Sequence, residues 1–277
     1  MRDSKYEEGL LNGSLHDIKE IQTLLGKDRE KVYEVIRIID GKPLFLEEHI
    51  VRLNNSIKLV DIDFSVSLRD IREQIYLLLD QFKEKNINVK ITFFKNIIEN
   101  LIVYLMHSNY PTAEKVRLGY NTILVYEERE KPNAKILNNE FRDLINEILT
   151  EEGADECIYV SEKGEVLEGS RSNLFFVKGN TILTAPDNGV LLGTTRNKIV
   201  EICQEKRISI QKRTIRIEEL AFFDAAFITG TSIDVMPVNV IGTVQYKSTS
   251  NRLVEKIRKE YEKEKHKYLS NIIKINK

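Results

Sequence analysis

The sequence predicts an α/β protein of two domains: an α/β N-terminal domain and a C-terminal domain of mixed strands around few helices. Runs rich in β-branched residues alternate with amphipathic helical patterns along the chain of 277 residues. Apolar residues make up 42% of the chain, which is enough for a substantial core. A polar stretch containing Asn109, Pro111 and Thr112 indicates the junction, so we expect domains at 1–112 and 113–277.

The N-terminal domain opens with a candidate helix, Leu15–Leu25, for which Ser14 is the candidate N-cap. A strand at Val32–Ile39 is rich in β-branched residues. The turn Asp40–Pro43 and the extended segment Leu44–Leu46 follow it and predict a hairpin. Apolar spacing then predicts two helices and two strands, in the order Glu47–Val60, Leu68–Lys85, Val89–Phe94 and Leu101–Met106.

The C-terminal domain is predicted to be richer in strands, with glycine turns between several of them. The predicted strands are Val116–Tyr126, Glu156–Ser161, Glu165–Glu168, Asn173–Lys178, Thr181–Thr184, Ile208–Ile215 and Ala225–Thr229. The predicted helices are Asn138–Glu151, Thr195–Lys206 and Ser250–Leu269.

Composition excludes several classes of protein. The 42 basic and 43 acidic residues leave a net charge of -1, which argues against a nucleic-acid partner. No apolar run approaches the roughly 20 residues that span a bilayer, so no membrane partner is expected. The two cysteines, Cys157 and Cys203, have no CxxC spacing, and the four histidines are scattered. We therefore expect a cytoplasmic enzyme with neither a disulfide framework nor a metal site.

Three segments have the character of binding sites. Gly193, Thr194 and Thr195 open a predicted helix, whose first backbone amides are free to bind phosphate. Thr231 and Ser232 follow a predicted apolar strand, in a loop of small hydroxyl residues that suits an anion.

The third segment contains Glu168, which lies between two predicted strands and is followed by glycine and serine. Such a carboxylate can keep a pyridine nitrogen protonated and so make the ring an electron sink. Alone, each of the three segments also has an ordinary explanation: an N-cap, a turn and a solvated loop residue.

Together and in this order, the segments resemble the class IV, or fold-type IV, pyridoxal-phosphate enzymes. This group contains branched-chain aminotransferases, D-amino-acid aminotransferases and aminodeoxychorismate lyases. The resemblance covers about Val32–Val240 and includes Tyr33–Arg37, His49–Leu53 and Met236–Val238. It implies a smaller N-terminal α/β domain, a C-terminal pseudo-barrel domain with flanking helices, bound pyridoxal 5'-phosphate and a homodimer.

The resemblance also implies roles for individual residues. Lys135, in the context Lys-Ile-Leu-Asn, matches the lysine that forms the Schiff base with the cofactor. Glu168 matches the partner of the pyridine nitrogen, and Arg52 matches a phosphate ligand. The other expected cofactor-binding residues are Ser170, Asn173, Gly193, Thr194, Thr195 and Thr231, and the expected substrate-binding residues are Tyr33 and Ser232.

The chain departs from the family pattern mainly on the substrate side. The segment after Phe94 reads Lys95–Ile98 and contains neither the arginine nor the histidine of the carboxylate trap of D-amino-acid enzymes. Three functions remain open. The first is transamination between a small amino acid and a 2-oxo acid. The second is β-elimination of the aminodeoxychorismate lyase type, and the third is a non-catalytic binding protein that keeps the fold.

Overall fold

The computed structural model of the protein describes residues 3–24 and 30–272. The chain forms two compact units. The first consists of Met1–Asn109, Ala134–Leu137 and His266–Lys277, and the second of Tyr110–Asn133 and Asn138–Lys265. The division at 1–112 and 113–277 stays a prediction.

The first unit is built on an antiparallel sheet of six strands, in the order β2-β1-β6-β5-β3-β4. Two amphipathic helices, α2 and α3, bury their apolar faces in the same core as the central strands. The elements are β1 (Glu8–Leu11), β2 (Ser14–Asp17), α1 (Ile18–Leu24), β3 (Val32–Ile39), β4 (Lys42–Pro43), α2 (Leu46–Leu59), α3 (Leu68–Phe82), β5 (Ile87–Lys95) and β6 (Glu99–Met106).

The second unit is built on a mixed sheet of nine strands, in the order β12-β11-β10-β13-β14-β7-β8-β9, with β15 paired to β14. Its core includes the stacked rings of Phe175 and Phe227, whose centroids are 4.9 Å apart. The elements are α4 (Ala113–Leu118), β7 (Tyr120–Tyr126), α5 (Asn139–Glu151), β8 (Glu156–Val160), β9 (Val166–Gly169), β10 (Asn173–Lys178), β11 (Thr181–Thr184), α6 (Thr194–Glu205), β12 (Ser209–Lys212), β13 (Ala225–Gly230), β14 (Asp234–Ile241) and β15 (Val244–Gln245).

A last helix, α7 (Arg252–Asn271), starts in the second unit, and its final turns belong to the first. Short 3-10 helices lie at Asp187–Gly189, Ile217–Phe222 and Ser248–Ser250. In residues 3–24 and 30–272, no helix is both long enough and apolar enough to cross a membrane.

Most predicted elements are confirmed, some to the residue. The strands Asn173–Lys178 and Thr181–Thr184 have the predicted bounds. The glycine turn between them ends the first strand and precedes the second. Helix α5 starts after Asn138, whose side chain accepts a hydrogen bond of 3.0 Å from the backbone N–H of Phe141.

The predicted N-cap at Ser14 is wrong. Ser14–Asp17 is a strand that pairs with Glu8–Leu11, and the helix begins at Ile18. The Asp17 carboxylate, not the Ser14 hydroxyl, accepts from a backbone amide of the first turn, at 2.6 Å from the nitrogen of Lys19. The predicted last residue, Leu25, lies outside the described residues.

Two further predictions are corrected near turns. The start of the strand predicted over Val116–Tyr126 is the helix Ala113–Leu118, capped by the Thr112 hydroxyl and ended by Gly119 at a φ of 80°. Leu44–Leu46 is not the second hairpin strand. Lys42–Pro43 pairs with β3 instead, and Phe45 turns the chain into α2 with a φ of 51°.

The strand β14 was missed, because Pro237 lies within it. Proline cannot donate to a sheet and therefore argues against an interior strand. Here the parallel pairing with β7 begins only at Val238, so the missing N–H breaks no bond on that side.

Candidate functional site

Lys135 is held by backbone pairing against the start of β3. The backbone N–H of Tyr33 donates to the carbonyl of Lys135 at 3.0 Å, and that of Leu137 donates to the carbonyl of Lys31 at 2.7 Å. The amide of Lys135 itself donates to the Ser56 hydroxyl on α2, at 3.1 Å. Segment 134–137 therefore lies along the sheet of the first unit, although it is distant in sequence.

This pairing places the Lys135 amine over an aromatic ring. Its Nζ lies 4.6 Å from the ring centroid of Tyr33, within the range of a cation–π interaction. The expected nucleophile and one expected substrate-binding residue are thus neighbours in the first unit.

Arg52 lies on α2 and makes a bidentate ion pair with Glu34 on β3. Its Nε and one terminal nitrogen each donate to a carboxylate oxygen of Glu34 at 2.7 Å. His49, one turn earlier on the same helix, places Nδ1 at 2.9 Å from the same carboxylate. Spacing of three residues puts both side chains on the face of α2 that meets Glu34.

The charges of this cluster determine its protonation. Burial raises the pKa of Glu34, but Arg52 and His49 outweigh it and lower the pKa to about 2. Burial, with Arg52 and Lys135, lowers the pKa of His49. The carboxylate is therefore ionised, and a neutral His49 donates its Nδ1–H to it.

Glu168 is the buried carboxylate of the second unit. One of its oxygens accepts from the Asn173 side-chain amide and from the backbone N–H of Leu191, both at 3.0 Å. Its other oxygen lies 3.2 Å from Nε of Arg129. Three donors from separate segments thus fix an acceptor group at the end of β9.

Asn173 connects Glu168 to the start of α6. A Cβ on Gly193 would lie 2.1 Å from the side-chain oxygen of Asn173, so any larger residue there would displace that side chain. Gly193 is the N-cap residue of α6 and has no side chain, so the first amides of the helix receive no side-chain cap from it. The Oγ1 atoms of Thr194 and Thr229 are buried without a hydrogen-bond partner.

Ser170, an expected cofactor ligand, is instead bonded to a buried glutamate. Its hydroxyl donates to Glu156 at 2.5 Å, and the same carboxylate accepts from the Ser172 hydroxyl at 3.0 Å. Arg171 adds a backbone N–H at 3.3 Å. Glu156 therefore fixes the loop that follows Glu168.

The structure brings the expected residues together in two sets. Tyr33 and Lys135 are neighbours in the first unit. Glu168, Asn173 and Gly193 are neighbours in the second. Four expected residues lie outside these contacts: Arg52 is paired with Glu34, Ser170 with Glu156, and Thr231 and Ser232 are half-buried just beyond β13. Thr194 and Thr195 form the first turn of α6.

Four partner residues received no role from the sequence: Glu34, His49, Arg129 and Glu156. Glu34 and His49 lie in segments that carry the family resemblance. Glu34 and Glu156 lie within apolar strands, which is the signal that could have revealed them as buried charges. Arg129 gave no such signal, because it lies in a run of charged residues typical of a solvated surface.

The first unit provides a half-buried amine, and the second provides an acceptor carboxylate and a helix start suited to phosphate. Across the described part of the chain, no group of three or more His, Cys, Asp or Glu side chains is placed to hold a metal ion.

Comparison with known proteins supports a relationship by sequence. A family model described as amino-transferase class IV matches residues 31–241. A D-alanine aminotransferase of Bacillus licheniformis is 30% identical over 223 residues, which is 76% of this chain and 78% of that protein. An aminodeoxychorismate lyase of Bacillus subtilis is 28% identical over 248 residues, which is 84% of this chain and 85% of that protein.

Solved structures match the fold. A branched-chain amino acid aminotransferase of Thermoproteus uzoniensis, solved with norvaline, superposes with a TM-score of 0.81 at 21% identity, covering 95% of this chain and 97% of the other. A branched-chain aminotransferase of Escherichia coli also gives a TM-score of 0.81, at 20% identity, covering 94% of each chain. The predicted α/β, fold-type IV architecture is confirmed by these matches. The chain belongs to the class IV aminotransferase family.

Proposed function

We propose that the protein is a pyridoxal-phosphate-dependent aminotransferase, which moves an amino group between a small amino acid and a 2-oxo acid. The observation that carries the proposal is the placement of Lys135. Backbone hydrogen bonds hold the main chain around this lysine against β3, and its amine lies over the ring of Tyr33. A positioned lysine amine is the nucleophile that carbonyl chemistry on this cofactor requires.

The residues of the second unit fit the cofactor. The unpartnered Oγ1 of Thr194 and the uncapped start of α6 suit a phosphate group. Glu168 is buried and held by three donors, which suits a carboxylate that faces a ring N–H. When bound, the cofactor supplies an aldehyde that condenses with amines and a ring that withdraws electrons from the substrate Cα.

Each residue then has a defined task. Lys135 would hold the cofactor through its amine and would carry a proton to and from the substrate Cα. Glu168 accepts the hydrogen bond of the ring nitrogen. Arg52 and the amides of Thr194 and Thr195 bind the phosphate, with the Thr231 hydroxyl beside them. Glu34 orients Arg52 by its bidentate ion pair.

The remaining expected residues are assigned to support and to the substrate. Ser170 and Asn173 hold the segments on either side of Glu168 through Glu156 and Leu191. Gly193 allows Asn173 to approach α6. Tyr33 and Ser232 are proposed to contact the substrate.

The test is spectroscopic and kinetic. The purified protein with pyridoxal 5'-phosphate should show a visible absorption band that borohydride bleaches. A panel of small amino donors, with pyruvate, 2-oxobutyrate and 2-oxoglutarate as acceptors, should give turnover. A protein that binds the cofactor but turns over no donor would support the non-catalytic alternative.

A second candidate is β-elimination from aminodeoxychorismate. It is favoured by the similarity to the Bacillus subtilis lyase over 84% of this chain. Lys135 could move the same Cα proton in either reaction, so the residues named above do not separate the two. Pyruvate release from aminodeoxychorismate without a 2-oxo acid acceptor would identify a lyase, whereas acceptor-dependent turnover would identify an aminotransferase.

We further propose that the protein is a homodimer, as the family resemblance implies. Light scattering of the purified protein at several concentrations tests this, with a dimer mass expected throughout. A monomer mass at all concentrations would contradict it.

A further inference from the structure

A second lysine, the buried Lys90, lies on β5 in the first unit. Its ammonium is bonded to Asp3, with Nζ 2.6 Å from a carboxylate oxygen. The other oxygen of Asp3 accepts from the Tyr104 hydroxyl at 2.7 Å. The carbonyl of Asp3 also accepts from the backbone N–H of His107 at 2.9 Å, so the sheet holds the acidic residue in place.

Lys90 shares an aromatic neighbour with Lys135. Its Nζ lies 5.4 Å from the ring centroid of Tyr33, and that of Lys135 lies 4.6 Å from the same centroid. Tyr33 is opposite Thr92 in the β3–β5 pairing, so Lys90 is its diagonal neighbour on one face of the sheet. Both amines therefore contact the ring of Tyr33.

A buried ammonium needs an anion, because the loss of hydration is otherwise uncompensated. Lys90 is buried, whereas the Asp3 side chain is 30% exposed. Burial raises the pKa of Asp3, but the attraction of Lys90 and the hydrogen bond of Tyr104 outweigh it and lower the pKa, so the group is a carboxylate. A carboxylate of a ligand has the same chemistry and would compete for the same cation.

We propose that Lys90 is a carboxylate-binding cation at the Tyr33 ring, which Lys135 also contacts, and that Asp3 occupies it as a specificity-determining residue. While Asp3 holds this place, a substrate with a second carboxylate gains nothing from Lys90. The enzyme therefore favours amino acids and 2-oxo acids with a single carboxylate. This inference rests on the proposed aminotransferase function.

The test compares two non-reacting probes, glutarate with two carboxylates and butyrate with one. Binding of each to the cofactor-loaded protein is measured by calorimetry for the wild type, Asp3→Asn and Asp3→Asn/Lys90→Met. Asp3→Asn keeps the shape and the hydrogen-bonding oxygen but removes the charge. Asp63→Asn, at an exposed loop position, is the matched control.

We expect Asp3→Asn to bind glutarate about tenfold more tightly than the wild type and butyrate unchanged. The added Lys90→Met change should abolish that gain. In turnover, the ratio of kcat/KM for 2-oxoglutarate to that for 2-oxobutyrate should rise about tenfold in Asp3→Asn and stay constant in Asp63→Asn.

An unchanged glutarate affinity in a folded Asp3→Asn protein overturns the inference, as does a gain that survives Lys90→Met. If the double variant does not fold, the probe affinities of Asp3→Asn alone decide. A wild-type protein without a visible cofactor band or turnover would instead refute the proposed function. The two failures are therefore distinguishable.

Discussion

Glu34 and Glu168 are both buried glutamates with an arginine partner, one in each unit, yet they are held differently. Glu34 is bound by charged or ring nitrogens only, with both oxygens on Arg52 and one also on His49. Glu168 takes two amides on one oxygen, and its arginine approaches the other at 3.2 Å from a side chain that is 27% exposed. The bidentate pair of Glu34 is the stronger of the two arginine contacts.

This difference separates two tasks. A carboxylate neutralised inside the protein contributes to stability and orients its partner, here Arg52. A carboxylate that amides orient at the end of a strand can instead face a bound group, which is the task proposed for Glu168. We therefore expect changes at Glu34 to act mainly on unfolding and changes at Glu168 to act mainly on turnover.

The largest effect on kcat is expected for Lys135→Ala. The effects of Glu34→Gln and Glu168→Gln are compared with it. Lys135→Ala should lower kcat by about 10⁴-fold, since it removes the proton carrier and the covalent attachment. The protein should also lose the absorption band that borohydride bleaches, as measured by spectroscopy before and after reduction. Lys163→Ala, at an exposed turn, should retain both properties. A reducible band in Lys135→Ala would show that another lysine holds the cofactor.

Glu168→Gln tests the catalytic half of the comparison. The amide keeps the size of the side chain but removes the charge that would stabilise a ring N–H, so we expect kcat to fall about a hundredfold. Steady-state kinetics measures this effect, with Glu162→Gln at an exposed position as the control. If kcat stays within twofold of the wild type, the role assigned to Glu168 is wrong.

Glu34→Gln tests the structural half. The pKa of Glu34 is lowered from its usual 4.5 to about 2, which corresponds to about 3 kcal/mol of stability from the ionised form. The substitution should remove about that much at neutral pH and change kcat less than Glu168→Gln does. Denaturant unfolding of the wild type and of Glu34→Gln measures the difference in free energy of unfolding.

The pH dependence of that difference has a definite sign. Because folding lowers this pKa, the contribution is fully present above about pH 4.5 and is lost as the pH falls toward 2. The difference in free energy of unfolding between the wild type and Glu34→Gln should therefore decrease between about pH 5 and pH 3. A difference that increases in this range would contradict the assigned ion pair.

Local pattern predicted most of the fold because the strands and helices carry their own periodicity. Asn173–Lys178 and α5 were predicted closely, since a glycine turn and an asparagine cap mark their ends. Two segments failed where a local signal conflicted with pairing. Pro237 argued against a strand at Asp234–Ile241, although the residues around it pair with neighbouring strands. The apolar spacing after Ser14 predicted a helix, although residues 15–17 pair with β1.

The site was predicted less completely, because its partners are far apart in sequence. The motifs pointed to Lys135 and Glu168, but not to what holds them. Ser56 lies 79 residues before Lys135, and Leu191 binds Glu168 from 23 residues away through a backbone amide that any residue supplies. Arrangements of this kind follow from sheet order and not from residue type.

The smallest expected effect concerns the start of α6 and has opposite signs in two states. The Thr194 hydroxyl is buried without a partner, whereas that of Thr195 lies 3.5 Å from the Tyr261 hydroxyl. Thr194→Val should therefore stabilise the cofactor-free protein by about 1 kcal/mol, because it removes an unsatisfied polar atom. It should also weaken cofactor binding about fivefold, since the phosphate would lose that hydroxyl.

Thr195→Val is the matched control, and thermal unfolding with and without cofactor measures both variants. It should not stabilise the cofactor-free protein, because its hydroxyl already has a neighbour. If Thr194→Val stabilises the cofactor-free and the cofactor-bound protein equally, the Thr194 hydroxyl is an unsatisfied polar group that does not contact the cofactor. If Thr194→Val is more stable than the wild type without cofactor and less stable with it, the cofactor supplies the hydrogen-bond partner of the Thr194 hydroxyl. That result places the phosphate at the start of α6.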